Sequence, residues 1–417
     1  MPRIGNVLFI ALLTPGISGC RKPAEVTFTK WATQESRVSN SENSESNRLM
    51  ATGNTVEQQA KLTAKPDAKG RLAAPITTRT NFFPKQKTEA RKVIGNSRAE
   101  ALSAAQKIKT INYVPTGLAL PPPYLSGLRL IGSSIIWDIE DAIHNHDYDK
   151  AIVACGSATT LGNSLMSGGA NEASLGASLI NQARQKMVPI LGSLSGFQLG
   201  KLGSAIQKAS SNRPPIYIAI QNEKDNMLLC LQQAQDLFET KKLDQLQERI
   251  GLSTKDSIDL LKGFEKEPEK AKALFDSIGN DIVARSDFYL KLVKNPQMSG
   301  LPPNKDEKKS KLMLFRYFSS NLESLVPMMR TTYCRTQLFI LECYLKQKMK
   351  FQKPLPPSLS AFSESATIDP FTGEKFYYKA GQLSYLLYSA GEDLVDDGGK
   401  TDSSFRDPDL LLEKPHS

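Results

Sequence analysis

The chain has 417 residues, a formal net charge of +10 and an apolar content of 40%, which is enough for a buried core. Five cysteines and three histidines are too few for a disulfide scaffold or a histidine-rich metal protein. The longest apolar run, residues 7–13, is much shorter than the roughly 20 residues that span a bilayer as a helix. Polytopic membrane proteins are therefore excluded.

The positive charge is concentrated before residue 93. Residues 21–92 carry 14 Lys and Arg against 7 Asp and Glu, whereas residues 93–417 carry 38 against 36. A nucleic-acid-binding fold would instead concentrate basic residues on a folded face, interleaved with aromatic side chains. We therefore expect no nucleic acid among the partners of this chain.

The N-terminus has the pattern of an export signal. Arg3 provides a positive start, residues 4–13 provide an apolar stretch, and Thr14-Pro15-Gly16 breaks any helix. The residues that follow, Ile17-Ser18-Gly19-Cys20, resemble the lipobox of bacterial lipoproteins. The resemblance implies removal of residues 1–19, acylation of Cys20 and attachment to a membrane of the bacterial cell envelope. The alternatives are a secreted protein with an incidental Cys20, or a short N-terminal extension.

Residues 20–92 are predicted to form a disordered tether. They are rich in Ser, Asn, Thr, Gln, Lys and Glu, and their apolar residues show no clear period. Such a segment buries too little apolar surface to offset the entropy lost on ordering. We expect it to hold a folded body away from the membrane.

Residues 93–310 are predicted to form an α-helical domain. A short first helix is expected over 93–110, and the prolines of 115–124 mark a boundary after it. Apolar residues then recur at i, i+3, i+4 and i+7, which predicts successive amphipathic helices. Their buried faces include Leu128, Ile131 and Ile135, then Ala151, Cys155 and Leu161, then Leu175, Leu179 and Met187, then Phe197, Leu202 and Ile206. Further helices follow to about residue 289, and residues 295–311 are a polar interruption.

Residues 311–417 are predicted to form a long helix followed by a small β-hairpin domain. The helix covers about 311–351, with a break or kink at Pro327. Aromatic-rich runs at 376–378 and 383–388 predict two strands joined by residues 379–382. Leu410-Leu411-Leu412 is a candidate third strand. The expected fold class is thus mainly α, with antiparallel helix hairpins and a small C-terminal α+β unit.

Residues 333–402 resemble the soluble domain of the major pseudopilins of bacterial type II secretion. They are also similar to uncharacterised envelope proteins that carry this tail behind a helical region. The resemblance rests on a helix at 337–350, Pro356-Pro357-Ser358-Leu359, Asp369-Pro370-Phe371-Thr372-Gly373, Leu387-Tyr388-Ser389-Ala390-Gly391 and Asp396-Asp397-Gly398-Gly399. Pseudopilins begin with a long apolar helix that polymerises, and no such helix opens this sequence. The resemblance therefore implies a shared C-terminal fold and not filament assembly.

The loop at 391–402 is strongly acidic. Its candidate ligands for Ca²⁺ are Asp393, Asp396, Asp397 and Asp402, because Ca²⁺ takes six to eight oxygen ligands. Some major pseudopilins bind calcium in their C-terminal loop, so the resemblance points the same way. The EF-hand spacing fails, since the third position counted from Asp393 is Val395. A solvated acidic loop without metal is the alternative.

Two catalytic motifs are imitated but incomplete. Gly192-Ser193-Leu194-Ser195-Gly196 has Leu where a nucleophile elbow has Ser, and Gly200-Lys201 lacks the first Gly and the final Ser or Thr of a phosphate loop. Both stretches lie within predicted helices, which favours close helix packing by small residues. If the protein lies in an oxidising envelope, a disulfide between Cys155 and Cys230 is an alternative to two free thiols.

These features favour an envelope-anchored protein with a non-enzymatic structural or protein-binding role. One alternative is an accessory component of a secretion system, which the pseudopilin resemblance implies. The other is an envelope hydrolase with a site between the helical body and the C-terminal domain. A deep pocket with converging polar groups would favour the hydrolase, and a shallow groove would favour binding.

Overall fold

The computed structural model describes residues 26–31, 44–64, 74–111, 113–118, 122–250, 263, 266–298, 313–382, 384–399 and 410. Its helices are α1 (Ser44–Leu62), α2 (Pro84–Ile94), α3 (Ser97–Ala105), α4 (Pro123–His144), α5 (Tyr148–Leu165), α6 (Ala170–Met187), α7 (Gly196–Ser210), α8 (Ile216–Glu239), α9 (Leu243–Ile250), α10 (Pro268–Lys294), α11 (Met313–Lys350) and α12 (Glu364–Thr367). Strands β1 (Tyr377–Ala380) and β2 (Tyr385–Tyr388) pair antiparallel. The predicted fold class, mainly α with a small C-terminal hairpin, is confirmed. Across these ranges, no helix combines the length and hydropathy needed to cross a bilayer.

Buried apolar side chains form three clusters, and the long helix α11 contributes to all of them. The first cluster joins α1 to α7, and α11 adds Phe339 and Cys343 to it. The second lies among α8, α10 and the first half of α11, around Met329. The third packs Leu338 and Leu341 of α11 against the hairpin segment. Since α11 continues through Pro327, one helix connects the helical body to the C-terminal unit.

The predicted disordered tether over 20–92 is wrong for α1 and for α2. Helix α1 packs against α3 and α4 and buries Leu49, Val56 and Ala60 completely. The buried face also carries Ser46 and Gly53. The buried positions therefore recur at helical spacing, but small or polar residues occupy some of them. The apolar pattern alone was too sparse to reveal this helix.

Residues 26–31 also contact the folded body. The ring of Phe28 packs edge-on against Phe238 of α8 and Phe275 of α10, with centroid distances of 6.2 and 6.1 Å. The backbone N–H of Trp31 donates to Gln232 Oε1 at 2.7 Å. This part of the predicted tether therefore lies across α8 and α10.

The helices predicted after the proline-rich boundary are confirmed as α4 to α7. The predicted burial is wrong for one side chain. Phe197 was expected on the buried face of the fourth helix, but it is 75% exposed. Leu199, Leu202 and Ile206 form the buried face instead. At 100° per residue, Phe197 lies about 140° around α7 from Leu202, so the two side chains point apart.

The C-terminal unit matches the predicted hairpin, with small shifts. Strand β1 ends at Ala380 and β2 begins at Tyr385, and between them the N–H of Gly381 donates to Ser384 O at 2.8 Å. Leu410 forms an antiparallel bridge with Ser389, and residues 411 and 412 lie outside the described part of the chain, so the third strand stays a prediction. A tight turn follows Asp369, where Gly373 has φ +74° and its N–H donates to Asp369 O at 2.8 Å.

Candidate functional site

Three glycines on one face of α7 allow α11 to lie very close to it. An added Cβ at Gly196 would stand 2.8 Å from the Phe351 ring, and one at Gly200 would stand 2.2 Å from Gln347 Nε2. At Gly203 it would stand 3.2 Å from the Tyr344 ring. As the residue numbers of these glycines increase along α7, those of the residues they meet decrease, so α7 and α11 are antiparallel. The predicted close packing by small residues is confirmed for Gly196 and Gly200, whereas an added Cβ at Gly192 would have no neighbour within 4 Å.

The end of α11 is fixed by a left-handed residue. Gln352 has φ +53°, and the N–H of Lys353 donates to Lys348 O at 2.9 Å, a Schellman-type closure. Pro354 follows and prevents further helix. The chain then turns back through α12, so residues 361–366 face the last turns of α11.

Between these elements lies a groove of about 360 Å³, open on one side, which we call the aromatic groove. Aromatic, amide, hydroxyl and lysine side chains line it, among them Gln207, Tyr344, Gln347, Lys348, Phe351, Lys353, Phe362 and Ser363. The Tyr344 and Phe362 rings stack at 6.1 Å with 22° between their planes. The Tyr344 hydroxyl donates to Gln207 Oε1 at 2.8 Å, which holds the ring in place.

An exposed aromatic pair stands at the end of the aromatic groove. The rings of Phe197 and Phe351 meet edge to face at 5.2 Å, and Phe351 is 39% exposed. Large apolar side chains grouped at a surface next to a recess are typical of interaction sites. Sequence reasoning missed this pair, because it placed Phe197 in the core. The glycine spacing at 196, 200 and 203 was the available signal that another element would approach α7.

A second, polar groove of about 570 Å³ lies beside the turn between α4 and α5. Its four aspartates are all in ion pairs: Asp138 with Arg91 and Arg98, Asp141 with Arg91, Asp147 with Lys150, and Asp149 with Lys201. The hydrogen bonds from Lys150 also lower the pKa of Asp147. Except for the local pair Asp147–Lys150 at the start of α5, these pairs join neighbouring helices, and we assign this groove a structural role.

The predicted calcium loop is only partly described. Asp396 Oδ1 accepts from the Tyr388 hydroxyl at 2.7 Å and from the Gly398 N–H at 2.9 Å, and Asp393 Oδ1 accepts from the Val395 N–H at 3.0 Å. In the described ranges, no three His, Cys, Asp or Glu side chains lie close enough together to hold a metal ion. Asp393, Asp396 and Asp397 therefore do not form a set of metal ligands by themselves. Asp402 lies outside those ranges, and calcium binding stays a prediction.

Cys155 and Cys230 do not form a disulfide with each other. Cys155 packs in the first apolar cluster and Cys230 in the second, and both are buried free thiols. Burial raises the pKa of each to about 12. Cys334 and Cys343 are also free and buried. Cys20 and the rest of the lipobox lie outside the described residues, so the anchor stays a prediction.

Comparison with known proteins gives no relative from which a function could be transferred. No family model matches the chain, and neither a curated protein nor a solved structure shows a significant similarity to it.

Proposed function

We propose that this chain is a lipid-anchored protein of the bacterial cell envelope that binds another protein in the aromatic groove. The observation that carries the proposal is the exposed pair Phe197 and Phe351 beside a recess walled by Tyr344 and Phe362. Aromatic side chains grouped around a pocket supply most of the energy at many protein interfaces.

The chemistry of the lining suits binding better than catalysis. A hydrolase needs a nucleophile or a water positioned beside an acid–base group. The lining here consists of aromatic and aliphatic side chains, two amides, the hydroxyls of Tyr344 and Ser363, and two lysines. Among the described residues, Ser363 Oγ accepts from Gln207 Nε2 at 3.5 Å and has no hydrogen bond to either lysine. The volume of about 360 Å³ fits one or two side chains of a partner. The groove does lie between the helical body and the C-terminal segment, where the hydrolase alternative expected its site.

A second candidate is an accessory component of a secretion system. It is favoured by the packing of Leu338 and Leu341 of α11 on Phe371 and Phe376 of the C-terminal segment, which gives the helix-plus-hairpin unit that a pseudopilin-like fold requires. Co-purification of the intact protein with secretion components separates this candidate from a free-standing lipoprotein.

The test of the groove is site-specific photo-cross-linking in cells. A photoactivatable phenylalanine analogue replaces Phe351 in one strain and Phe83, which is 72% exposed at the start of α2, in another. We expect a discrete cross-linked product at 351 that disappears when Phe197→Ala is added. Equal products at 351 and 83, or a product at 351 that Phe197→Ala leaves unchanged, would contradict the proposal.

A further inference from the structure

The chain segments that build the aromatic groove carry more basic than acidic residues. Residues 173–222 include α7 and carry five Lys and Arg and no acid. Residues 341–366, which supply every lining residue except Gln207, carry four lysines and two glutamates, Glu342 and Glu364. Elsewhere from residue 93 onwards, acids slightly outnumber bases, since the whole of 93–417 holds 38 basic and 36 acidic residues. These segments are therefore more positive than the rest of the chain from residue 93 onwards.

Several of these cations have no carboxylate partner. Lys186 pairs with Glu140, Lys201 with Asp149, and Lys346 with Glu342. In the part of the chain that the structure describes, no ion pair involves Lys208, Lys348, Lys350 or Lys353. The Lys350 ammonium donates to the backbone oxygen of Gly192 at 2.8 Å, and the Lys353 ammonium lies 5.9 Å from the centroid of the Phe351 ring.

The end of a helix explains only part of this charge. A helix C-terminus is equivalent to about half a negative charge, which one nearby lysine offsets. Here Lys348, Lys350 and Lys353 all lie within the last turn of α11 or just after it. Two of them, Lys348 and Lys353, also line the aromatic groove, whose described lining includes no carboxylate. The excess positive charge is thus placed directly beside the aromatic walls.

We infer, on the basis of the proposed function, that the partner segment held in the aromatic groove is acidic. It would place an aromatic or aliphatic side chain between Phe351 and Phe362 and its Asp or Glu carboxylates against Lys348 and Lys353. Lysines at the rim of an apolar recess select for such a segment, because they attract carboxylates and repel basic competitors.

An anionic membrane surface is a less suitable occupant. Exposed phenylalanines with nearby lysines also occur where proteins lie on lipid. Here, however, the Tyr344 and Phe362 rings are stacked inside a recess between α11 and the segment before α12. A recess of this size accepts single side chains of a peptide, whereas a lipid surface requires an exposed, continuous apolar face.

The experiment measures binding of three fluorescent ten-residue peptides to the purified full-length chain. All contain the same two phenylalanines, with Asp and Glu in one peptide, Asn and Gln in the second, and Lys in the third. At low salt we expect the acidic peptide to bind about tenfold more tightly than the amide peptide, and added salt to reduce this difference. Phosphatidylglycerol vesicles are the fourth probe.

The decisive variant reverses the two groove charges with Lys348→Glu and Lys353→Glu. It is expected to lose the preference for the acidic peptide and to prefer the lysine peptide. The control variant carries Lys85→Glu and Lys92→Glu, two exposed lysines of α2, and is expected to keep the wild-type preference. Circular dichroism checks that both variants are folded.

The outcomes separate this inference from the proposed function. Equal affinity for the acidic and amide peptides, with binding lost in Phe351→Ala, would overturn the inference and leave the binding groove in place. Binding of vesicles without binding of any peptide would overturn both the inference and the proposed function. Unchanged selectivity in the charge-reversed variant would overturn the inference as well.

Discussion

Gly53 of α1 and Gly127 of α4 meet where the two helices cross. An added Cβ at Gly127 would stand 1.9 Å from the carbonyl oxygen of Gly53, and one at Gly53 would stand 2.5 Å from the carbonyl oxygen of Tyr124. No side chain larger than hydrogen fits between these backbones. The contact makes α1 part of the folded body, although the amino-acid composition around it resembles that of a disordered tail.

The first prediction is that Gly127→Ala destabilises the protein. The added methyl group must push α1 away from α4, and overpacking of this kind costs about 1–3 kcal/mol of the free energy of unfolding. Urea unfolding followed by circular dichroism measures the change.

Gly156→Ala is the matched control for that variant. Its Cβ would stand 3.5 Å from the Ala205 Cβ, an ordinary contact, and alanine favours helix over glycine by about 0.5–1 kcal/mol. We expect this variant to be as stable as the wild type or slightly more stable. Equal stability of the Gly127→Ala and Gly156→Ala variants would show that the helix crossing is not tight.

These glycines also show what the sequence could and could not predict. Regular apolar spacing predicted α4 to α8, and aromatic runs predicted β1 and β2. Helix α1 was missed because Ser46 and Gly53 share its buried face with Leu49 and Val56, so the apolar spacing of the helix is incomplete. The aromatic groove was missed because its walls come from α7, α11 and the segment before α12, and nothing local in the sequence indicates that these three meet.

The second prediction concerns the ion pairs of Glu140, which join α4 to α2 and α6. Partial burial raises its pKa, but the hydrogen bonds from Lys186 at 2.8 Å and Lys87 at 3.0 Å outweigh this effect, so the pKa lies below its usual value. A lowered pKa means that the charged form stabilises the fold. This stabilisation is present above the unfolded-state pKa and is lost as the pH falls through the folded-state pKa.

We therefore expect Glu140→Gln to lower the free energy of unfolding at pH 7 by about 0.5–1 kcal/mol, as for other partly exposed pairs. The difference from wild type should vanish as the pH falls below the lowered pKa. Glu89→Gln, which changes an exposed carboxyl group of α2, should have no measurable effect. A Glu140→Gln difference that is constant from pH 7 to pH 3 would rule out the ion pairs as its cause.

The third prediction is that the thiols of the folded body are unreactive. Burial raises the pKa of Cys155 and Cys230 to about 12 and that of Cys343 well above its usual value. Thiolate is the reactive form, so at pH 8 a thiol reagent should label none of these three until denaturant unfolds the chain. Rapid labelling of any of them in the native protein would show that the packing around it is looser than described.

The fourth prediction tests the membrane anchor. Cys20→Ala should abolish both membrane partitioning and metabolic labelling with fatty acid, because a single apolar run of this length does not hold a protein in a bilayer. Cys155→Ala, which removes a cysteine from the first apolar cluster, should retain both. Membrane association that survives Cys20→Ala, or an intact N-terminus in the soluble fraction, would remove the anchor from the proposed function.

The most direct test of the binding groove is the affinity for the partner captured at position 351. Phe197→Ala combined with Phe351→Ala removes the exposed pair, and loss of two central aromatic side chains costs about 2 kcal/mol or more at an interface. The account predicts that the dissociation constant rises at least about tenfold in this variant and stays unchanged in Phe83→Ala. A dissociation constant that is the same in all three proteins would contradict it.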